Sequence, residues 1–243
     1  GLSRFEAGDT EGADEDLTWA EIRLKSVAKA SRDHDLSLLN KAAFHMAAGA
    51  PLMALAVYAD ISRNSGHANE TIAISRLGAS RIRASLGHMF DAARHAWNAH
   101  AHAIKASQIN MAIEAGTLFI ELSLENIDSG AELMKDQVSK AKPRSADESE
   151  PVLKVSEKDI EDVFLWCHSM LPESYSGEQR PDLRAMVSIA AKINKLELFS
   201  ELLENPDDVE DSMLVAIVQA CISDDELKSK WNQRLTVLTL ENL

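Results

Sequence analysis

Apolar residues recur at three- and four-residue spacing through most of the chain, with short polar or glycine-containing breaks between the runs. That period belongs to amphipathic helices, not strands. Thr18 and Glu21 stand at capping-box spacing and predict a first helix over 19–32. Asp35 or Ser37 is placed to cap the next, which runs through LLNKAAFHMAA and stops at Gly49. Pro51 takes a first-turn position at the head of LMALAVYADISR, which Ser65 and Gly66 close. Asn69 is placed to cap ETIAISRLGASRIRASL, ending at Gly87. HMFDAARHAWNAHAHAIKA, QINMAIEAGTLFIELSL and SGAELMKDQVSKAK follow. Residues 143–155 carry two prolines and no helical period, so they read as a linker. Ser156 then caps EKDIEDVFLWCHSML, and DLRAMVSIAAKINKLELFSELLE, DDVEDSMLVAIVQACI and DDELKSKWNQRLTVLTLENL complete an all-α chain. No alternating strand pattern bounded by turns stands out.

One longer period overlies these helices. Gly49 and Gly87 each end one helix and begin another, 38 residues apart, and Asn126 follows 39 residues later. Glycine and asparagine are the residues that best tolerate a left-handed helix stop. An alanine lies five residues after each, at Ala54, Ala92 and Ala131. Leu52 and Phe90 stand three residues after the first two, whereas Ser129 departs. A tight turn followed by a small residue is what two closely packed antiparallel helices require.

The segment GAPLMALAVYADI resembles the turn and second helix of a tetratricopeptide repeat, with Gly49, Ala54 and Tyr58 at the family's offsets. GHMFDAARHAW repeats the glycine and the alanine, but its aromatic, Trp97, comes one place late. The resemblance covers residues 36–142; the period exceeds the family's usual spacing, and the Trp-x-x-Leu-Gly pattern of the first helix is missing. It implies antiparallel helical hairpins stacked as a short solenoid, a protein-interaction scaffold with a concave groove, and a C-terminal helical extension. It does not imply the clamp for C-terminal carboxylates that some members carry, because Ala43 and Arg81 stand where that clamp has asparagine.

Charge divides the chain. There are 39 acidic against 25 basic residues, a net charge of −14. Residues 1–16 hold six acids and one base and read as a flexible acidic arm. Residues 17–142, the repeat-like region, are nearly balanced, with 12 acids and 14 bases. Residues 156–243 read as an acidic C-terminal helical region. An acidic chain is a poor polyanion binder, so nucleic acid is not an expected partner. No apolar run approaches the roughly 18–20 residues of a bilayer span, so no membrane partner is expected. Only Cys167 and Cys221 occur, which fits a reducing, intracellular and cytoplasmic setting.

Several constellations could carry chemistry. His88, His95 and His102 recur every seven residues on one helical stripe, with Asp91 between the first two. Phe90, Trp97, Ala101 and Ile104 form one apolar face of that helix, and Met89, Ala92, Ala96, Ala99 and Ala103 a second. The stripe, with Asn98 and Lys105, is then read as the solvated side. His34 and Asp35 form a His-Asp pair of the kind that ligates metal in all-helical phosphohydrolases, which also need an upstream histidine; none precedes His34. Cys167 and His168 are adjacent on a helix and so point about 100° apart, poor geometry for a thiolate pair. Arg76, Arg81 and Arg83, with Arg94 on the next helix, form a basic group suited to an acidic or phosphorylated segment of a protein partner. No phosphate-binding loop, dinucleotide fingerprint or nucleophile elbow is present. The expectation is a non-enzymatic interaction scaffold or adaptor without cofactor or bound metal. A helical metal-dependent hydrolase using His34, Asp35 and the His88/His95/His102 stripe is the alternative, and a self-assembling structural or viral protein a third.

Overall fold

A computed structural model describes residues 1–64, 66–127, 133–134, 152–153, 155–171, 181–199, 229 and 233. The chain divides into two compact units, Gly1–Ser156 and Glu157–Leu243. The first contains α1 (Leu2–Glu6), α2 (Thr10–Ala28), α3 (Arg32–Ala47), α4 (Pro51–Arg63), α5 (Asn69–Ser85), α6 (Met89–Lys105) and α7 (Ile109–Ile127). Leu133 and Met134 pair antiparallel with Leu153 and Val152, a two-residue ladder in an otherwise helical description. No described helix is long and apolar enough to cross a membrane.

Each helix of the first unit from α2 onward packs on the next in the chain, and α3 also touches α5. Cross-helix contacts fix the directions. Asp14 meets His45 and Glu21 meets Lys41. Asn69 meets His102, Arg76 meets His95 and Ser80 meets Ala92. His100 meets Ala112 and Trp97 meets Phe119. In each case low numbers meet high, so α2–α3, α5–α6 and α6–α7 are antiparallel; Asp35 brings the heads of α3 and α5 together, so these two run the same way and α4 returns between them.

The turns repeat one geometry. Gly49 and Gly87 have φ of 73° and 78°, and the amide after each donates to the carbonyl five residues back, at 2.8 and 2.9 Å. This is the Schellman stop that closes a helix on a left-handed residue. Ala54 and Ala92, each five residues later, are completely buried, as close helix packing demands. Asn126 does not continue the series: it lies inside α7. α7 runs on to Ile127 and its stop lies outside the described residues; the left-handed Ser107, with φ 57° and the same bond from Gln108 to Ala103 at 2.9 Å, ends α6 instead. Leu52 and Phe90, at their shared offset, are exposed. Ala131 and Ser129 lie outside the described residues.

The N-terminal reading needs correction. Residues 1–16 carry α1 and the head of α2. Asp9, not Thr18, caps α2, its carboxylate accepting from the Gly12 amide at 2.9 Å. Ala13 and Leu17 are buried with Phe44, and Phe5 closes on Phe44 edge to face at 5.2 Å. A few apolar residues, one per turn, suffice to dock this segment on α3 despite its acidity.

In the second unit α8 (Glu157–Ser169) begins after Ser156. α9 (Pro181–Lys192) starts on a proline, which needs no amide partner there. Asn194, with φ 56°, stops it before a short 3-10 turn at Leu196–Phe199, so the uninterrupted helix expected to continue through LELFSELLE does not form. Ile160, Phe164, Cys167, Leu183, Met186 and Phe199 are buried in this unit. The two helices expected beyond residue 206, with Cys221, lie outside the described residues apart from positions 229 and 233, as does most of the 143–155 segment.

Candidate functional site

The strongest polar cluster sits where the α2–α3 turn, the head of α3 and the α4–α5 loop converge. Ser31, not Asp35 or Ser37, caps α3, accepting from the His34 amide at 3.2 Å. That leaves Asp35 free to reach the next hairpin. One of its oxygens meets His67 Nδ1 at 2.5 Å. The other accepts from the Ala68 amide at 3.2 Å and from the Thr71 hydroxyl at 2.7 Å. α5 has no capping side chain of its own, since Ala68 occupies its N-cap and Asn69 lies inside the helix. Asp35 therefore caps α5 from another helix, supplying an acceptor and a negative charge at its N-terminus.

His34 completes the cluster. Its Nδ1 accepts from the Ala30 amide at 3.1 Å, and its ring lies 5.7 Å from that of His67. Ala30 is left-handed, with φ 57°, and its Cβ is close to Gly66 of the neighbouring loop. The cluster thus joins two loops at the same end of the helical row. His34, Asp35 and His67 are all buried. Burial pushes the Asp35 carboxyl up, but the hydrogen bonds from His67, Thr71 and Ala68 outweigh it and hold the group below its ordinary value. Burial, reinforced by His67, holds His34 below its own.

His34, Asp35 and His67 are the one group among the described residues whose ligating atoms gather closely enough to hold a metal, within 4.8 Å of one another. The sequence pointed to His34 and Asp35 and missed His67, which is 33 residues from His34, in a loop, with no spacing signal. The donor set does not suit a metal. Asp35 already accepts three hydrogen bonds. His34 Nδ1 takes the Ala30 amide, so the neutral ring carries its proton on Nε2, the buried nitrogen that would have to ligate. A ligating histidine is normally held by donating its other N–H, the reverse of this arrangement.

The histidine stripe stays outside this cluster. His88 is exposed at the head of α6, whereas His95 Nδ1 meets Arg76 at 3.2 Å and His102 Nδ1 meets Asn69 at 2.9 Å. The solvated-face reading fails for its centre: His95 and Asn98 are buried. Phe90 and Ile104, assigned to an apolar face, are exposed. The small row of Ala92, Ala96, Ala99 and Ala103 decides the packing, because side chains without reach let α5 and α7 close on α6 from both flanks.

The arginines make different contacts among the described residues. Arg76 meets His95, exposed Arg81 pairs with Glu114 on α7, and Arg94 pairs with Asp91 one turn away at 3.2 Å. Arg83 is half-buried near the end of α5. In the second unit Cys167 is buried and its thiol is pushed up to about 12, so it is no nucleophile at neutral pH. His168 lies between Phe164 and Phe199, with Nε2 on the Leu198 carbonyl at 3.2 Å. No protein-family model matches this chain, and no curated protein matches it.

Proposed function

We propose that the chain is a non-enzymatic protein-interaction module, a scaffold or adaptor built of helical hairpins in a tetratricopeptide-like row. The carrying observation is a set of large apolar side chains left in water at one end of that row. Because the helices alternate in direction, the Gly49 and Gly87 turns fall at the same end. Met46, Leu52, Met53, Leu86 and Phe90, which flank these turns, are all exposed. Exposed apolar groups gathered in one place mark contact surfaces. The 38-residue recurrence of a left-handed glycine followed by a buried alanine, and the packing of Tyr58 on Gly78 of the next helix, favour the repeat-like arrangement. Exposed Arg81, with Arg76 and Arg83 on the same helix and Arg94 on the next, supplies positive charge for an acidic or phosphorylated partner segment.

The test compares the full chain with a Leu52→Asp/Met53→Asp variant and an Arg81→Glu variant in affinity capture followed by mass spectrometry. Circular dichroism checks each variant's helicity, and elemental analysis checks the purified protein. A partner held by the full chain and lost from the apolar variant at unchanged helicity supports the module; its loss from the arginine variant adds the acidic segment. Equal capture by all three, or stoichiometric metal with hydrolase activity, overturns it.

A further inference from the structure

We propose that the His34–Asp35–His67 cluster is an acid-released latch: it holds the α2–α3 turn against the α4–α5 loop while His34 is neutral, and lets them part when that ring takes up a proton. The proposal is independent of the partner surface at the opposite end of the row.

The geometry gives each group a defined part. Asp35 clamps α5 through Ala68 and Thr71 and holds His67 beside it. His34 holds the other side, since its Nδ1 is the acceptor for the Ala30 amide in the α2–α3 turn. That acceptor exists only while Nδ1 is unprotonated. A proton on His34 therefore does two things at once: it turns the acceptor into a donor aimed at another donor, and it places a second ionisable ring against His67 in a buried site. The left-handed backbone of Ala30 is unfavourable for a residue with a Cβ, so losing this acceptor removes a bond from a strained turn.

The charged and titratable neighbours of His34 are Asp35 on its own helix, His67 in the α4–α5 loop, and Glu21 and Lys25 on α2. Glu21 already pairs with Lys41 at 2.9 Å, and Lys25 with Asp60 at 3.7 Å. Asp35 has its oxygens committed. Asp35 and Glu21 therefore offset a new charge on His34 only in part, and burial together with His67 outweighs them. Because His34 is held below its ordinary value of about 6.5, the closed latch has its full stability above that pH. It loses stability as pH falls from about 6.5 toward the lowered value, since only the open form takes up the proton readily. Asp35, held low, gives way only at more acid pH.

Amide hydrogen exchange by NMR on the full chain, between pH 7.5 and 4.5, tests this. After correction for intrinsic exchange, the opening constant at Ala68 should rise by up to about tenfold per pH unit below 6.5, ahead of Phe119 and Ile120 in α7. The imidazole of His34 should titrate over the same range. In His34→Gln, whose side-chain oxygen can still accept from Ala30 and does not titrate, the rise at Ala68 should vanish; in His45→Gln it should persist. A flat profile at Ala68, simultaneous opening of α7, or an unchanged rise in His34→Gln overturns the latch. Should His34→Gln fail to fold, His34 titrating at or above its ordinary value in the unaltered chain overturns it equally.

Discussion

At the residue scale the structure depends on a few side chains whose neighbours leave them no alternative. Asp35 is the clearest. Replacing it with Asn leaves His67 buried without its carboxylate and weakens the cap on α5. Breaking a buried pair by removing one partner costs about 3–5 kcal/mol, so Asp35→Asn should lower unfolding stability in urea at pH 7 by about that much. Thr71→Val, which removes one neutral hydrogen bond, should cost only about 1 kcal/mol. Gly78 is a second such residue. A helix-interior glycine is normally improved by Ala, by about 1 kcal/mol. Here a Cβ would come within 2.5 Å of the Tyr58 ring, which packs directly on the α5 backbone. Overpacking costs about 1–3 kcal/mol, so Gly78→Ala should destabilise in urea, and the same change in a Tyr58→Leu background should not.

At the element scale, what the sequence disclosed followed from how local the cause was. Gly49, Gly87 and Pro51 impose their conformations on themselves, and each stands where its residue type placed it. The cap of α5 was invisible, because its acceptor comes from Asp35 on another helix. So was the Ser107 stop, since a serine carries no sequence signal for a left-handed conformation, which its Cβ makes costly. That cost is recoverable: Ser107→Gly should raise stability by about 0.5–1 kcal/mol, seen as a higher urea midpoint with unchanged slope. α6 was misread for a related reason. Its polar stripe and aromatic face suggested which side was wet, but the alanine row sets the closest approach of α5 and α7, and polar His95 and Asn98 went inside with it. Ala99→Leu should therefore disrupt the unit by about 1–3 kcal/mol, whereas Phe90→Ser, on an exposed side chain, should change stability by less than about 0.5 kcal/mol. Paired thermal melts of the two variants would decide between the faces.

At the scale of the whole molecule the buried histidines set how the first unit responds to acid. Burial holds His34, His45, His100 and His102 below their ordinary values; Lys105 and Arg76 reinforce this at His102, which reaches about 4. These groups are neutral in the folded chain and titrate near 6.5 once unfolded. Unfolding therefore takes up protons below that pH, and folded stability is greatest above about 6.5 and falls as pH drops toward 4. A second effect opposes this. With a net charge of −14, acidification also relieves repulsion among surface carboxylates, which raises stability. The two differ in their response to salt, since a Debye length of about 8 Å at physiological ionic strength screens surface charge but not the desolvation of a buried ring. Urea midpoints measured at pH 7.5, 6 and 5 in low and high salt separate them. The expected result is a midpoint that falls with acidification, and falls more steeply at high salt, where the compensating relief of repulsion is screened away. A midpoint that holds steady or rises at high salt would mean that the four rings are hydrated in the folded chain, and that the seams between these helices are looser than their hydrogen bonds imply.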